Sequence, residues 1–396
     1  MIEIKEVATC RQRREFLNFP NKLYKNNPCY APALMMDERK IFRKDYLYYD
    51  TSEAVYYNAY KDGVMAGRIS GILQRSSNEK WNQKRVRFTR FDVIDDFEVA
   101  KALLTAVEDW ARSKGMDTVC GPLGFSDLER EGLLIDGFDQ MSTFEEQYNA
   151  PYYQTFIEKL GYSKEVDWLE SQLRPTKDPE ALEEMKKMSD FVMKRYKLHF
   201  GPARNTKDFL KRYANDVFEL LDKSYEHIYG TVPFTDGMRK LMIDNFNLII
   251  DLEHVAVILD ENDNAVCLGI CFPSIAKALQ KSGGRLTPLT LLRVLHAIRH
   301  PEVIDLALIG VDPVYLNRGI SIVFAYELTK MLQKPGIRYA DTNLNPWATL
   351  HAVSKGTALV LVNYDAIHVT QWTAKGVESD YLGGADWGAC WPENTA

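Results

Sequence analysis

The sequence predicts an α/β protein in which a mixed α+β sheet flanked by helices is built twice in tandem. Three observations predict it. Apolar strand and helix patterns follow one another in the same order in both halves, each half starts its strand series with a hairpin, and a proline-bounded charged segment lies between them. A repeated order of elements at this length is the mark of internal duplication.

The first hairpin is "EAVYYNAYKDGVMAGRISGILQR" (residues 53–75), two strand patterns joined by Lys-Asp-Gly; the second is "HVAVILDENDNAVCLGICFP" (254–273). Alternating apolar residues around a short Asp/Asn/Gly turn are the hairpin signal. A strand and an amphipathic helix follow: "RVRFTRFDV" with "FEVAKALLTAVEDWARSKG" in the first half, "VIDLALIGV" with "GISIVFAYELTKMLQKPG" in the second. Apolar residues recur at helical spacing in both helices, and each stops at a glycine. Next come a strand ("MDTVCG", "IRYADTNL"), a helix opened by Asn-Ala-Pro or Asn-Pro ("YNAPYYQTFIEKLGY", "LNPWATLHAVSKG") and a closing strand ("EVDWLESQL", "ALVLVNYDAIHV"). Between the halves, Pro175 and Pro179 flank the start of a charged helix. The expected domains are therefore residues 1–175 and 176–396.

Composition narrows the class. With 396 residues, 46% apolar and 26% charged, the chain has material for two cores. A net charge of −6 and a pI near 5.8 argue against a nucleic-acid partner, which calls for a basic face. No apolar run reaches the roughly 18 residues of a membrane span, and the N-terminus carries no signal-peptide core, so a cytoplasmic location is expected. The six cysteines are scattered and expected to be reduced. Cys267 and Cys271, four residues apart in a strand, share a face and read as core rather than metal ligands; no metal is expected.

One turn invites a ligand. "GVDPVYLNRGISIVF" (310–324) passes from an apolar strand through a polar turn into a helix. First-turn amides lack partners and the helix dipole favours negative charge, so such a turn binds phosphate, or simply connects strand to helix. Gly319 permits close backbone approach. All seven histidines lie in the second half. Histidine is the side chain best suited to accept a proton near neutral pH, which places any chemistry there.

Taken together, "FLNFPNKLYKNNPCYAPAL", "AGRISGI", "RFDVIDDFEVAKALL", "CGPLGFSDLEREGLLIDGFD" and "YNAPYYQTFIEKLGY" make the chain resemble the GNAT acyltransferase superfamily, as two GNAT-like domains in tandem. More narrowly, the first half is similar to a bacterial family of long GNAT-like proteins related to bacterial ceramide synthase. "GTVPFTDGMRKLM", "SGGRLTPLTLL" and "GVDPVYLNRG" fit more loosely in the second half. The resemblance implies a mostly antiparallel central sheet in each domain and an acyl-CoA donor, acetyl-CoA or longer, whose pyrophosphate lies on the turn after the fourth strand. Carried onto this chain, the donor site comprises Val311, Asp312, Asn317, Arg318, Gly319, Ile320 and Ser321, with Asn345 as the common GNAT asparagine or a helix N-cap. Leu316 stands where the family has Gln or Arg. The first half has Asp95, Asp96 and Glu98 at the equivalent place and no glycine, so that domain is expected to be a degenerate copy.

The implied reaction is direct transfer to an amine of a small molecule or sphingoid-like lipid. His227 in "SYEHIYGTVPF", with Glu226 and Tyr229, is the expected catalytic group, because the fold builds its acceptor site there. The family's tyrosine, four residues before a glycine, is replaced by Ala352, leaving His351, Tyr364 or solvent to protonate the thiolate. The competing class is a non-catalytic ligand-binding or scaffold protein of degenerate GNAT fold. The acidic loop with Asp127, Glu129, Glu131, Asp136 and Asp139 reads as functional or as a seal between domains. The helix "LTLLRVLHAIRH" reads as a cover for the sheet, a lid, or a peripheral membrane contact. Oligomeric state is left open.

Overall fold

The computed structural model describes residues 1–174, 178–249, 252–342, 345–346 and 367–375. The first half runs β1 (Ile2–Glu6), α1 (Cys10–Leu23), α2 (Met35–Glu38), β2 (Ser52–Lys61), β3 (Val64–Gln74), α3 (Arg75–Trp81), β4 (Arg85–Val93), α4 (Phe97–Ser113), β5 (Thr118–Gly121), β6 (Leu133–Asp136), α5 (Tyr152–Lys159) and β7 (Ser163–Glu170). The chain continues through β8 (Gln172–Leu173), α6 (Pro179–Arg195), β9 (His199–Phe200), α7 (Thr206–Ser224), α8 (Asp236–Ile249), β10 (Val255–Leu259) and β11 (Ala265–Pro273). It ends with α9 (Ala276–Gln280), α10 (Pro288–Arg299), β12 (Val303–Val311), α11 (Ile320–Leu332), β13 (Tyr339–Asp341), β14 (Asn345–Pro346) and β15 (Ile367–Lys375).

Two mostly antiparallel sheets result, one ordered β1-β2-β3-β4-β5-β15-β7-β14 with β6 on β15, the other β8-β13-β12-β11-β10-β9. Among the described residues, only β4 with β5 and β12 with β13 pair in parallel. The mixed α/β architecture thus matches the sequence pattern. Local chemistry sets the elements: α4 starts where the Asp96 carboxylate accepts from the amides of Glu98 and Val99. It then buries Val99, Ala100, Leu103, Leu104, Val107 and Ala111 against β3 and its neighbours. Spacings of three and four put these residues on one face, and each large one contributes about 1.5–3 kcal/mol by leaving water.

Each sheet carries a bulge at the same place. On β4, Arg90 and Phe91 together oppose Ile69, since Arg68 pairs with Asp92 and Ser70 with Thr89. On β12, Ala307 is the extra residue, since Cys271 pairs with Leu306 and Ile270 with Leu308. A bulge turns the strand and frees backbone groups from the ladder.

Two strands cross the division expected at residue 176. β8 pairs with β13 in the second sheet, Gln172 opposite Asp341. Conversely β15 lies between β5 and β7 in the first sheet, Trp372 opposite Gly121 and Ile367 opposite Glu170. Of the closing strand expected at 358–369, residues 358–366 lie outside the described residues; β15, which takes in its last three, completes the sheet of the first half. Its insertion satisfies ladder groups of β5 and β7 together. The sheets are joined at Ser171 and Thr342, where the Ser171 amide donates to Thr342 Oγ1 at 2.8 Å and the Thr342 amide to the Ser171 carbonyl at 2.9 Å. Side chains of both halves share hydrophobic clusters, such as Phe144 with Phe272, Ile275, Leu279 and Val294.

Candidate functional site

A cavity of about 1020 Å³ is lined by residues of both sheets. One wall is the length of β12 from Leu306 to Ile309, with Val311, and the facing side of α11 through Ser321, Phe324 and Leu328. Leu316, 46% exposed, lies at the same wall. Beside it, α11 begins at Gly319, whose φ of 76° is the left-handed conformation that favours glycine, and no side chain caps the helix there.

Asp312, Asn317, Arg318 and Ile320 belong to this turn without lining the cavity. Asp312 Oδ1 accepts from the Val314 amide at 2.9 Å, which caps a short 3-10 turn. The Arg318 guanidinium lies 5.4 Å from the ring of Tyr196 and 5.0 Å from that of Tyr315, and Ile320 is buried in the core with Met185 and Val192. Asn317 is exposed. Asn345 does not open a helix: it pairs with Leu169 in the two-residue β14, because the chain there runs alongside β7. The helix expected after it, with His351, Ala352 and Tyr364, lies outside the described residues.

The middle of the cavity, near the β12 bulge, is acidic. Glu145 and Glu146 line it next to Phe144, whose ring packs 5.8 Å from Phe272 on β11. Behind them Asp305 and Asp341 are register neighbours on β12 and β13, and Glu170 ends β7. Burial, with the Asp341 carboxylate, raises Asp305 far above the ordinary carboxylate range, and burial with Glu146 does the same to Glu170. Asp341 is pushed up to about 7 by burial and by Glu146. Like charges this close cannot all ionise, so the group holds protons at neutral pH. Glu145 is exposed to the cavity interior yet enclosed by its walls; that enclosure, and Glu146, raise it to about 7.

At the first-half end the cavity wall is a paired charge network. Arg68 Nε donates to Asp92 Oδ2 at 2.7 Å and Arg68 Nη1 to the Phe16 carbonyl at 3.1 Å. Arg90, the bulge residue, donates to both Glu38 oxygens at 3.0 and 3.2 Å and lies 3.6 Å from Glu129. Burial would raise Glu38, but Arg90 and Arg68 outweigh it and hold the carboxyl at about 2. The acidic loop also reaches across: Leu128 packs against the second-half cluster of Phe218, Leu221 and Leu268.

His227 and Glu226 are exposed and outside the cavity lining, whereas their neighbours Tyr225 and Ile228 line it. Tyr229 is buried away from it, with Arg85 donating to its hydroxyl at 3.2 Å and to Glu165 at 2.6 Å; burial pushes the phenol up. Among the described residues the histidine in the lining is His254, whose carbonyl accepts from Cys271 Sγ at 3.1 Å. Cys267 is fully buried, as core packing predicts. Sequence reading passed over Glu145, Glu146, Glu38, Arg90 and Asp305. The signal available was a charged residue within an apolar strand, as in "VIDLALIG" and "RFTRFDV".

No family model matches the chain. It is 28% identical over 330 residues to Protein YghO of Escherichia coli (strain K12), covering 82% of each chain. It is 23% identical over 300 residues to bacterial ceramide synthase of Caulobacter vibrioides, covering 74% of this chain and 75% of that one. Among solved structures it is similar to a tandem GNAT protein from the clavulanic acid biosynthesis pathway, with a TM-score of 0.53, 12% identity, and coverage of 96% of this chain and 100% of that one. The fold is that of tandem GNAT domains.

Proposed function

We propose that this tandem GNAT chain is an acyltransferase moving an acyl group from acyl-CoA to an amine. The observation that carries the reading is one cavity running from the uncapped α11 terminus, along the β12 bulge, to carboxylates supplied by the first half. The turn fits an anionic donor: Gly319 leaves its face of the helix terminus bare, and Asn317 and Arg318 stand exposed beside it. The cytoplasm supplies such donors and remains the proposed location.

Glu145 is the proposed base. Its pKa near 7 suits proton abstraction at neutral pH, and it faces the same cavity as the bulge. In the reaction the ammonium gives one proton to Glu145, the neutral amine nitrogen bonds to the thioester carbonyl carbon, the C–S bond breaks, and the second nitrogen proton ends on the departing thiolate as thiol. An amine suits the acidic middle of the cavity, where Glu145 lines the wall and offers it a hydrogen-bond acceptor. The apolar length of β12 and α11, and a relative named bacterial ceramide synthase, support a lipid amine or long acyl chain over a small polar pair.

Calorimetric titration with acetyl-CoA and a long-chain acyl-CoA tests the donor, and thiol release against short and long-chain amines tests the reaction. Absence of binding by either donor would sink the enzyme reading and favour the scaffold. Glu145→Gln should lower turnover by about 100-fold or more and abolish its rise near pH 7 while donor affinity stays. Full activity in that variant returns the base role to His227, with Glu226 and Tyr229.

A further inference from the structure

We infer that α10 is a docking surface for an anionic lipid bilayer. The helix begins at Thr287, whose Oγ1 accepts from the Thr290 amide at 3.2 Å, and proline follows at its first position. Thr290 and Val294 are its buried residues, and Ile298 packs against the same cluster. Those positions, four apart, form one narrow stripe. The leucines point the other way: Leu286, Leu289, Leu291, Leu292 and Leu295 are 45%, 57%, 48%, 65% and 40% exposed. Among the described residues, five of the 14 exposed large apolar ones thus fall within ten positions. A helix serving only to cover a sheet turns its leucines inward. This one reverses the pattern, and a contiguous exposed apolar patch marks an interaction surface.

Charge selects the partner. Residues 274–301 contain five Lys or Arg and no Asp or Glu, in a chain whose net charge is −6. Arg285 and Arg299 flank the leucines and are exposed. Leucines between cations are what a helix lying in an anionic membrane interface needs, the former entering the acyl region and the latter meeting phosphates. The helix is rigidly placed. Asn21 Nδ2 donates to the Gly283 carbonyl at 3.1 Å, and the Met35 amide to that of Gly284 at 2.9 Å. At Gly284 a Cβ would stand 1.8 Å from the Ala33 carbonyl oxygen, so only glycine allows this approach. No helix among the described residues is long and apolar enough to span a membrane, so the contact is peripheral. The inner side of α10 packs on Phe144 and Leu34, which also line the cavity, so docking would bring that cavity close to the bilayer.

The test is co-sedimentation of the full chain with vesicles of phosphatidylcholine alone or with 30 mol% phosphatidylglycerol, at about 0.05 and 0.5 M salt. Binding is expected on the anionic vesicles at low salt and at least tenfold less on the neutral ones. Leu289→Ser, Leu292→Ser and Leu295→Ser combined, or Arg285→Gln with Arg299→Gln, should each reduce it at least tenfold, and the leucine variant should keep its thermal midpoint because its three side chains are exposed. Wild-type protein remaining in the supernatant with anionic vesicles would overturn the inference. So would undiminished binding by the leucine variant, or a wild-type dimer that this variant makes monomeric without vesicle binding, which would identify a second copy as the occupant. Failure of acyl-CoA to bind in the separate titration leaves this result untouched.

Discussion

The two helices that follow the fourth strand of each sheet begin in opposite ways. At α4 the Asp96 carboxylate occupies the terminus, accepting from two amides and bonded on its outer side by Lys61. At α11 the same position is Gly319, left-handed and without a side chain. One terminus supplies its own anion and the other leaves room for one from outside. The bulges repeat the contrast. In the first sheet the bulge presents Arg90, paired with Glu38, and in the second Ala307, and both bulges stand in the wall of the one cavity. The two helix termini thus differ in their own chemistry: one is capped by a carboxylate of the chain, and the other carries no capping side chain.

The sharpest way to break this comparison is to give the second terminus what the first has. Gly319→Asp should lower acyl-CoA affinity about 100-fold or more by calorimetry, since it adds a like charge and a side chain where φ is 76°. Retained affinity would remove the turn from the donor site. The paired charges of the first half come next. Asp92→Asn leaves the buried Arg68 without its 2.7 Å partner charge, and urea unfolding should show a loss of about 3–5 kcal/mol. A loss below about 1 kcal/mol would show that Glu38, 3.9 Å from Arg68, suffices.

Titration separates two carboxylates of the molecule, one in each half. Asp341 is raised from its ordinary 3.8 to about 7, so the folded state holds a proton that the unfolded chain has released. Stability therefore falls as pH rises through that window and levels off above it. Glu38 runs the other way, with stability lost as pH falls from its ordinary 4.5 toward about 2. Asp341→Asn should make the slope between pH 4 and 7 shallower and raise the urea midpoint at pH 8; an unaltered slope would assign the proton to Glu146, Glu170 or Asp305. Smaller still, Asp96→Ala should cost about 1 kcal/mol as a lost cap and leave donor affinity unchanged. Altered affinity would mean the first terminus also meets the donor. The smallest effect is expected from His227→Ala, which alters an exposed side chain outside the lining and should leave donor affinity and thermal midpoint within error.

Much of this was legible before any coordinates. Period-two runs around Asp-Gly and Asp-Asn turns, period-3.6 runs ending in glycine, and the glycine of the second turn determined hairpins, helices and a helix terminus open to an anion, because those signals act between residues close in the chain. Asp96 was legible too, since an aspartate just before an apolar helical run is a capping signal, and its carboxylate caps α4. Tertiary structure alone decided which sheet β15 completes, since strand pairing across about 200 residues depends on which ladder groups lie unsatisfied nearby. It decided that Asp305, Asp341 and Glu170 meet, that Glu145 faces the cavity while His227 faces outward, and that the leucines of α10 point to solvent. Periodicity states that a helix has an apolar side; only the elements packed against it determine which way that side turns.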